Sequence, residues 1–224
     1  MKGLEQAIVS SKPVRLVAYS VSPVIESALK KILFTYLKAQ GCEVLHDSLY
    51  TAVKELLINA IKANYKNIYF ENYSSKNKAE EIIGYNTALE LFKLELGRDE
   101  GTYLSNIARN RNMNAEIIWR QTGEQMRVDV VNPVSMTELE IQNVRKKMDF
   151  ARRCVDISEY FLNEEDDPNQ EGAGLGLILI MMILKSLGGG DENFFINSGD
   201  GKTTATLIVP LTEATLAQYQ KHIE

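Results

Sequence analysis

Apolar positions alternate between short runs of period two and longer runs of period 3.6, the pattern of a chain that mixes strands with amphipathic helices. Val14 to Tyr19 cluster apolar residues as a strand does. Ser22 and Pro23 follow as N-cap and first helical residue, and Ile25, Leu29, Ile32, Leu33, Tyr36 and Leu37 then hold a helical period until Gly41. Residues 1–12 are a short leader of no clear type. Asp47 is expected to cap a second helix, with Leu49, Val53, Leu56 and Ala60 on its core face and its end at Asn64. The run Asn67 to Glu71, with Ile68, Tyr69 and Phe70 at its centre, predicts a strand.

Residues 76–112 are charged and helical in pattern. Ile82, Ile83, Ala88, Leu89, Leu91 and Phe92 lie in one half, Tyr103, Leu104 and Ile107 in the other, and Gly97 to Gly101 part them. They predict an inserted helix pair, serving either as packing over the core or as a partner-docking surface. Ala115 to Arg120 and Gln125 to Val131 predict a strand pair about Thr122-Gly123, and the second strand must leave the sheet at Asn132-Pro133 because Pro133 has no ladder donor. A helix from about Thr137 to Arg153 carries Arg145, Lys146, Lys147, Arg152 and Arg153, a solvated face by default and a phosphate contact in the alternative.

Ser158 to Gln170 is acidic and punctuated by Pro168, so it reads as a mobile loop. It leads into Glu171-Gly172-Ala173-Gly174-Leu175-Gly176-Leu177 and an apolar helix, Ile178 to Leu187, ended by Gly188 to Gly190. Asn193 to Ile196 and Thr203 to Val209 form a hairpin about Ser198 to Gly201, Pro210 closes the last strand, and a polar helix runs from Thr212 to His222.

Composition narrows the class. The 224 residues are 45% hydrophobic, enough for a sizeable core, and fit one domain. With 25 Lys+Arg against 30 Asp+Glu the formal charge is −5, which argues against nucleic acid as the main partner. Cys42 and Cys154 offer neither zinc spacing nor a disulfide framework and suit a reducing cytoplasm. Met1 to Ser11 lacks the apolar core of a signal peptide, and the run Leu175 to Leu184 is shorter than the ~20 residues that span a bilayer. A cytoplasmic protein without a membrane span is expected.

Two patterns carry chemistry. At about 100° per residue, Glu55, Asn59 and Lys62 share one helix face. A carboxylate, a carboxamide and an ammonium there supply a base, a neutral oxygen ligand for a hard cation and a charge for phosphate; the bland alternative is a solvated face. Far along the chain, Gly172, Gly174 and Gly176 end a loop and open a helix, where free amide N–H groups make an anion site. The G-x-G-x-G spacing after an acidic loop is not a dinucleotide fingerprint.

Together, E-L-L-I-N-A-I-K, E-G-A-G-L-G-L opening an apolar helix, and the terminal strand K-T-T-A-T-L-I-V-P-L resemble, in the same order, the ATP-binding domain shared by DNA gyrase, sensor histidine kinases and anti-sigma-factor serine kinases, the GHKL superfamily with its Bergerat fold. The resemblance covers roughly Val14 to Leu211. It implies an α/β (α+β) two-layer sandwich, a mixed, mostly antiparallel sheet with helices on one face, across a single domain (1–224) with the insertion at about 76–112. It also implies ATP and Mg²⁺ as ligands. Asn59 would bind the metal, Glu55 would be the general base and Lys62 would lie near the phosphates. Gly172, Gly174, Leu175, Gly176 and Leu177 would form the lid hinge and phosphate loop, and Thr203 would help hold the adenine. A lid from about Met136 to Gln170 is expected to be mobile.

The family's D-x-G-x-G is replaced here by V-V-N-P-V-S. Asn132 takes the place of the adenine-binding Asp, its amide oxygen still an acceptor but uncharged, and Pro133 stiffens the step. Lys202 stands where a Gly is usual. Three activities follow from the resemblance: a phosphotransferase acting on a separate protein, a nucleotide-binding switch or adaptor without turnover, and, least supported by an acidic chain, a gyrase-like ATPase. His46 precedes a helix cap and His222 lies in the tail, so both read as ordinary surface or cap histidines and a phosphoacceptor is expected on another protein.

Overall fold

The computed structural model describes residues 2–10, 12–76, 85–97, 101–154 and 175–223. The opening residues, read as a leader, form helix α1 (Lys2–Val9), whose Ile8 is buried in the core. Strand β1 (Val14–Ala18) leads into α2 (Pro23–Lys38), where Ser22 accepts the Ile25 amide and Pro23 opens the helix, as the sequence predicts. A 3-10 turn at Glu43–Leu45 then delivers the chain directly into α3 (His46–Lys76). Asp47 is therefore in the first turn of α3 rather than at its cap.

Two expectations fail on α3. The helix does not end at Asn64, and Asn67 to Glu71 is its last part rather than a strand. The physical reason lies in the core stripe: Leu49, Val53, Leu57, Ile61, Tyr65 and Ile68 are all buried, so burial at helical spacing overrides the strand preference of Ile-Tyr-Phe.

The segment expected to be an inserted helix pair contains α4 (Tyr85–Gly97) and α5 (Gly101–Asn110). Leu89, Phe92, Leu104 and Ala108 are buried and α5 packs on α3, whereas Leu91, Leu94 and Tyr103 stay exposed. Ile82 and Ile83 lie outside the described residues.

Strands β2 (Ala115–Thr122) and β3 (Gln125–Asn132) form the expected hairpin, with Gly123 at φ +57 in the turn. Helix α6 (Glu138–Arg153) follows, then α7 (Leu175–Ser186). Strands β4 (Phe194–Gly199) and β5 (Lys202–Pro210) close on Asp200 (φ 51) and Gly201 (φ 75), a type I′ turn that this dipeptide favours, and α8 (Glu213–Ile223) ends the described chain.

The five described strands make one sheet in the order β1-β2-β3-β5-β4, and every pairing is antiparallel. The expected mixed sheet is thus corrected for these strands: β2–β3 and β4–β5 are hairpins, long helical segments join β1 to β2 and β3 to β4, and no two neighbouring strands run parallel. The fold is α+β. Register places Ala18, Ile117, Trp119, Val128, Val130, Leu207 and Phe194 on one buried face, against which α3 packs through β2 and β3. The opposite face is polar at its centre. Arg120 and Arg127 stand directly across from each other, and buried Asp129 offsets that like-charge pair by accepting from both and from Thr206. No described helix is long and apolar enough to cross a membrane.

Candidate functional site

Helix α3 carries Glu55, half-buried, and Asn59 and Lys62, both exposed, on the side turned away from its core stripe. The N-terminus of α7 comes up against this face. A Cβ on Gly176 would lie 2.8 Å from Glu55 Oε2, 3.7 Å from Glu55 Cβ and 3.7 Å from Asn59 Nδ2. A side chain at this position would displace the Glu55 carboxylate, the end of a flexible side chain. Gly176 is the second described residue of α7. The structure thus brings together Glu55, Asn59 and Gly176, from two segments far apart in sequence. A carboxylate, a carboxamide and the backbone of α7 meet in one place.

The other residues named from the sequence divide. Gly172 and Gly174 lie outside the described residues, as does the acidic loop from Ser158 to Gln170. Leu175 is the first described residue of α7, and Leu177 is half-buried against the core. Asn132 and Thr203 are direct partners in the β3–β5 register on the buried face. Asn132 Nδ2 donates to Val134 O at 3.4 Å, and Thr203 Oγ1 donates to the same carbonyl at 2.7 Å. The Thr203 hydroxyl therefore holds the chain after β3, while the amide oxygen of Asn132 is not consumed by its bond.

That chain, residues 132–140, is a strap tied at both ends. On the sheet side Thr203 holds Val134, and Ser198 Oγ, 3.1 Å from Thr203 Oγ1, accepts the Met136 amide at 2.7 Å. On the helix side Thr137 and Glu140 form a capping box that opens α6. Glu140 Oε2 accepts from Thr137 N at 2.7 Å and from its hydroxyl at 2.9 Å; Oε1 pairs with Lys66 Nζ of α3 at 2.7 Å. Burial pushes the Glu140 carboxyl up, but Lys66 and the Thr137 amide outweigh it and hold the group below the usual carboxylate value.

Helix α6 is equally well seated at its other end, where Lys185 of α7 donates to the carbonyls of Ala151, Arg152 and Cys154 at 2.7, 2.9 and 2.8 Å. Met148 and Ala151 are buried. Of the segment expected to be a mobile lid from about Met136 to Gln170, the part as far as Cys154 includes helix α6 with both termini bonded, and residues 155–170 lie outside the described residues. Arg145 and Lys146 are exposed, and Arg152 pairs with Asp149 and Asp191, which agrees with the solvated reading of this helix.

Sequence reasoning missed Lys66, Glu140 and Ser198. The signals were available for two of them: Thr137-x-x-Glu140 before a helix is a capping-box pattern, and Lys66 continues the Glu55, Asn59, Lys62 stripe by one more turn.

For Mg²⁺ the donor set is sparse. Among the described residues no group of three or more His, Cys, Asp or Glu is placed to hold a metal. Asn59 with Glu55 beside it fits a hard cation that keeps its waters and arrives on phosphate oxygens, not one caged by protein.

No family model matches this chain, and no solved structure matches it. It is similar to an uncharacterized protein of Treponema pallidum (strain Nichols), 27% identical over 210 residues, which cover 92% of this chain and 39% of that protein. The chain thus spans about two fifths of the length of the curated relative it matches.

Proposed function

We propose that this chain binds Mg-ATP as a histidine-kinase-like ATPase domain and transfers the terminal phosphoryl group to a hydroxyl on a separate protein. The observation that carries the reading is the approach of Gly176 to Glu55 and Asn59, with a Cβ position 2.8 Å from the Glu55 carboxylate. Phosphoryl transfer needs positioning and charge stabilisation more than covalent chemistry, and this meeting point offers both. Glu55 accepts the proton of the attacking hydroxyl. Asn59 supplies a neutral oxygen to the cation, and Lys62 and the first-turn amides of α7 face the negative charge of the phosphates. Mg²⁺, when bound, neutralises charge on the phosphate oxygens.

Asn132 and Thr203, adjacent at the ends of β3 and β5, are suited to the base, with the Asn132 amide oxygen accepting from its amino group. A second reading, a nucleotide-binding switch or adaptor without turnover, is favoured by the same pair. Asn132 carries no charge, and the Thr203 hydroxyl is already engaged with Val134.

Calorimetric titration with ATP and ADP, with and without Mg²⁺, tests the reading. Binding of ATP should strengthen with Mg²⁺, and Asn59→Ala should lose the magnesium-dependent part. No binding at millimolar nucleotide would overturn both versions; binding without phosphoryl transfer to any partner would leave the switch.

A further inference from the structure

We propose that Lys66 is a positioning residue of the nucleotide site: through Glu140 it holds the 132–140 strap, and Asn132 with it, against the helix that carries Glu55 and Asn59. The inference rests on the nucleotide reading above and adds a residue and a role to it.

Lys66 follows Glu55, Asn59 and Lys62 along one face of α3, at spacings of four, three and four residues. Its side chain keeps 12% of its exposure and that of Glu140 22%, so the 2.7 Å pair is largely withdrawn from water, where such a contact is stronger than at an open surface. Glu140 divides its oxygens, Oε1 to Lys66 and Oε2 to the cap of α6. Because the opposite end of the strap is bonded to Thr203 and Ser198, the strap spans from sheet to helix and sets the separation of Asn132 from the α3 stripe. Pro133 limits the slack by fixing one φ and restricting Asn132 before it. Where the resembled family has a glycine-rich step, this chain has a short tether with a bonded anchor at each end.

The test uses the full chain with Lys66→Met, Glu140→Gln, both together, and the exchanged pair Lys66→Glu with Glu140→Lys. Each single change should weaken Mg-ATP binding about tenfold, the energy of one charge-assisted hydrogen bond in a half-buried setting. The double variant should be no worse than the weaker single, and the exchanged pair should recover part of the loss. Turnover at saturating ATP should stay within about twofold, because Glu55 is untouched. Hydrogen exchange should quicken at 133–140 and not in the middle of α3.

Unchanged affinity with a lowered melting temperature would reduce the pair to packing and overturn the proposal, as would additive effects in the double variant. A wild-type chain that binds no nucleotide would overturn the functional reading first, and the positioning role with it. A wild type that binds normally beside variants that also bind normally would sink the Lys66 role alone.

Discussion

At the scale of single residues, Glu55 and Glu140 are two carboxylates with opposite duties. Glu55 lies beside the N-terminus of α7, and in the proposed reaction it must be free to accept a proton. Replacing it by Gln keeps size and hydrogen bonding but removes the base. Turnover should fall by about 10²–10⁴-fold while ATP affinity changes little, measured with a working partner as well as by phosphate release. Unchanged turnover would remove Glu55 from the mechanism. Glu140, by contrast, is spent on structure, and its charge is what the pair with Lys66 needs. Its carboxyl is held below its ordinary value of 4.5, so the folded state binds this proton less readily than the unfolded chain does. The stabilisation is therefore complete above that value and disappears as pH falls through the lower folded one. Acid titration followed by exchange at 133–140 should show the strap loosening in that window, and Glu140→Gln should show no such step. The placement of Glu55 and Asn59 on one helix face was legible from their spacing, a local property. The duty of Glu140 was not, because its partner Lys66 lies on another helix and only tertiary packing joins them.

Elements show why some boundaries could be read and others could not. Ser22-Pro23, Thr122-Gly123 and Asp200-Gly201 mark their turns by chemistry that acts within a few residues, and each falls where expected. The long α3 was cut short because Ile68, Tyr69 and Phe70 prefer strands locally, while Ile68 is fully buried in step with Ile61 and Tyr65. Following the buried period instead of the propensity would have carried the helix through. The anchoring of helix α6 was not legible for a related reason: Lys185, which secures its last carbonyls, is remote in sequence. The contact between α3 and α7 yields a sharp element-scale test. Gly176→Ala places a methyl 2.8 Å from Glu55 Oε2, the end of a flexible side chain that can swing away, while Ala within a helix favours folding by up to about 1 kcal/mol. The variant should keep or slightly raise its melting temperature yet lose most turnover, because Glu55 is displaced. Loss of folding would show that the α3–α7 contact is rigid; normal activity would show that Glu55 is not held there for catalysis.

For the whole molecule, the α+β class could be read from the two hydrophobic periods, but the strand order could not, since pairing is a property of segments distant along the chain. The resemblance supplied an expectation of one parallel pair or more, and the described strands pair only antiparallel. What the structure brings together is the Glu55–Asn59 helix face and Gly176, and that arrangement has a global consequence. The sole tryptophan, Trp119, is fully buried in the face of the sheet against which α3 packs, so its fluorescence reports the integrity of the layer that backs the site. If sheet and helices form one cooperative unit, unfolding followed by Trp119 and by far-ultraviolet dichroism should coincide in a single transition. A ligand that binds only the folded state shifts that transition by mass action, about 2.7 kcal/mol at a hundredfold excess over its dissociation constant. For a chain of this length each kcal/mol is worth about 2–4 °C, so saturating Mg-ATP should raise the midpoint by roughly 5–10 °C. ATP with a chelator should raise it less, and Asn59→Ala should erase the difference between the two. A midpoint indifferent to nucleotide at a concentration where calorimetry detects binding would mean that the ligand sits off the cooperative core, away from Glu55, Asn59 and Gly176.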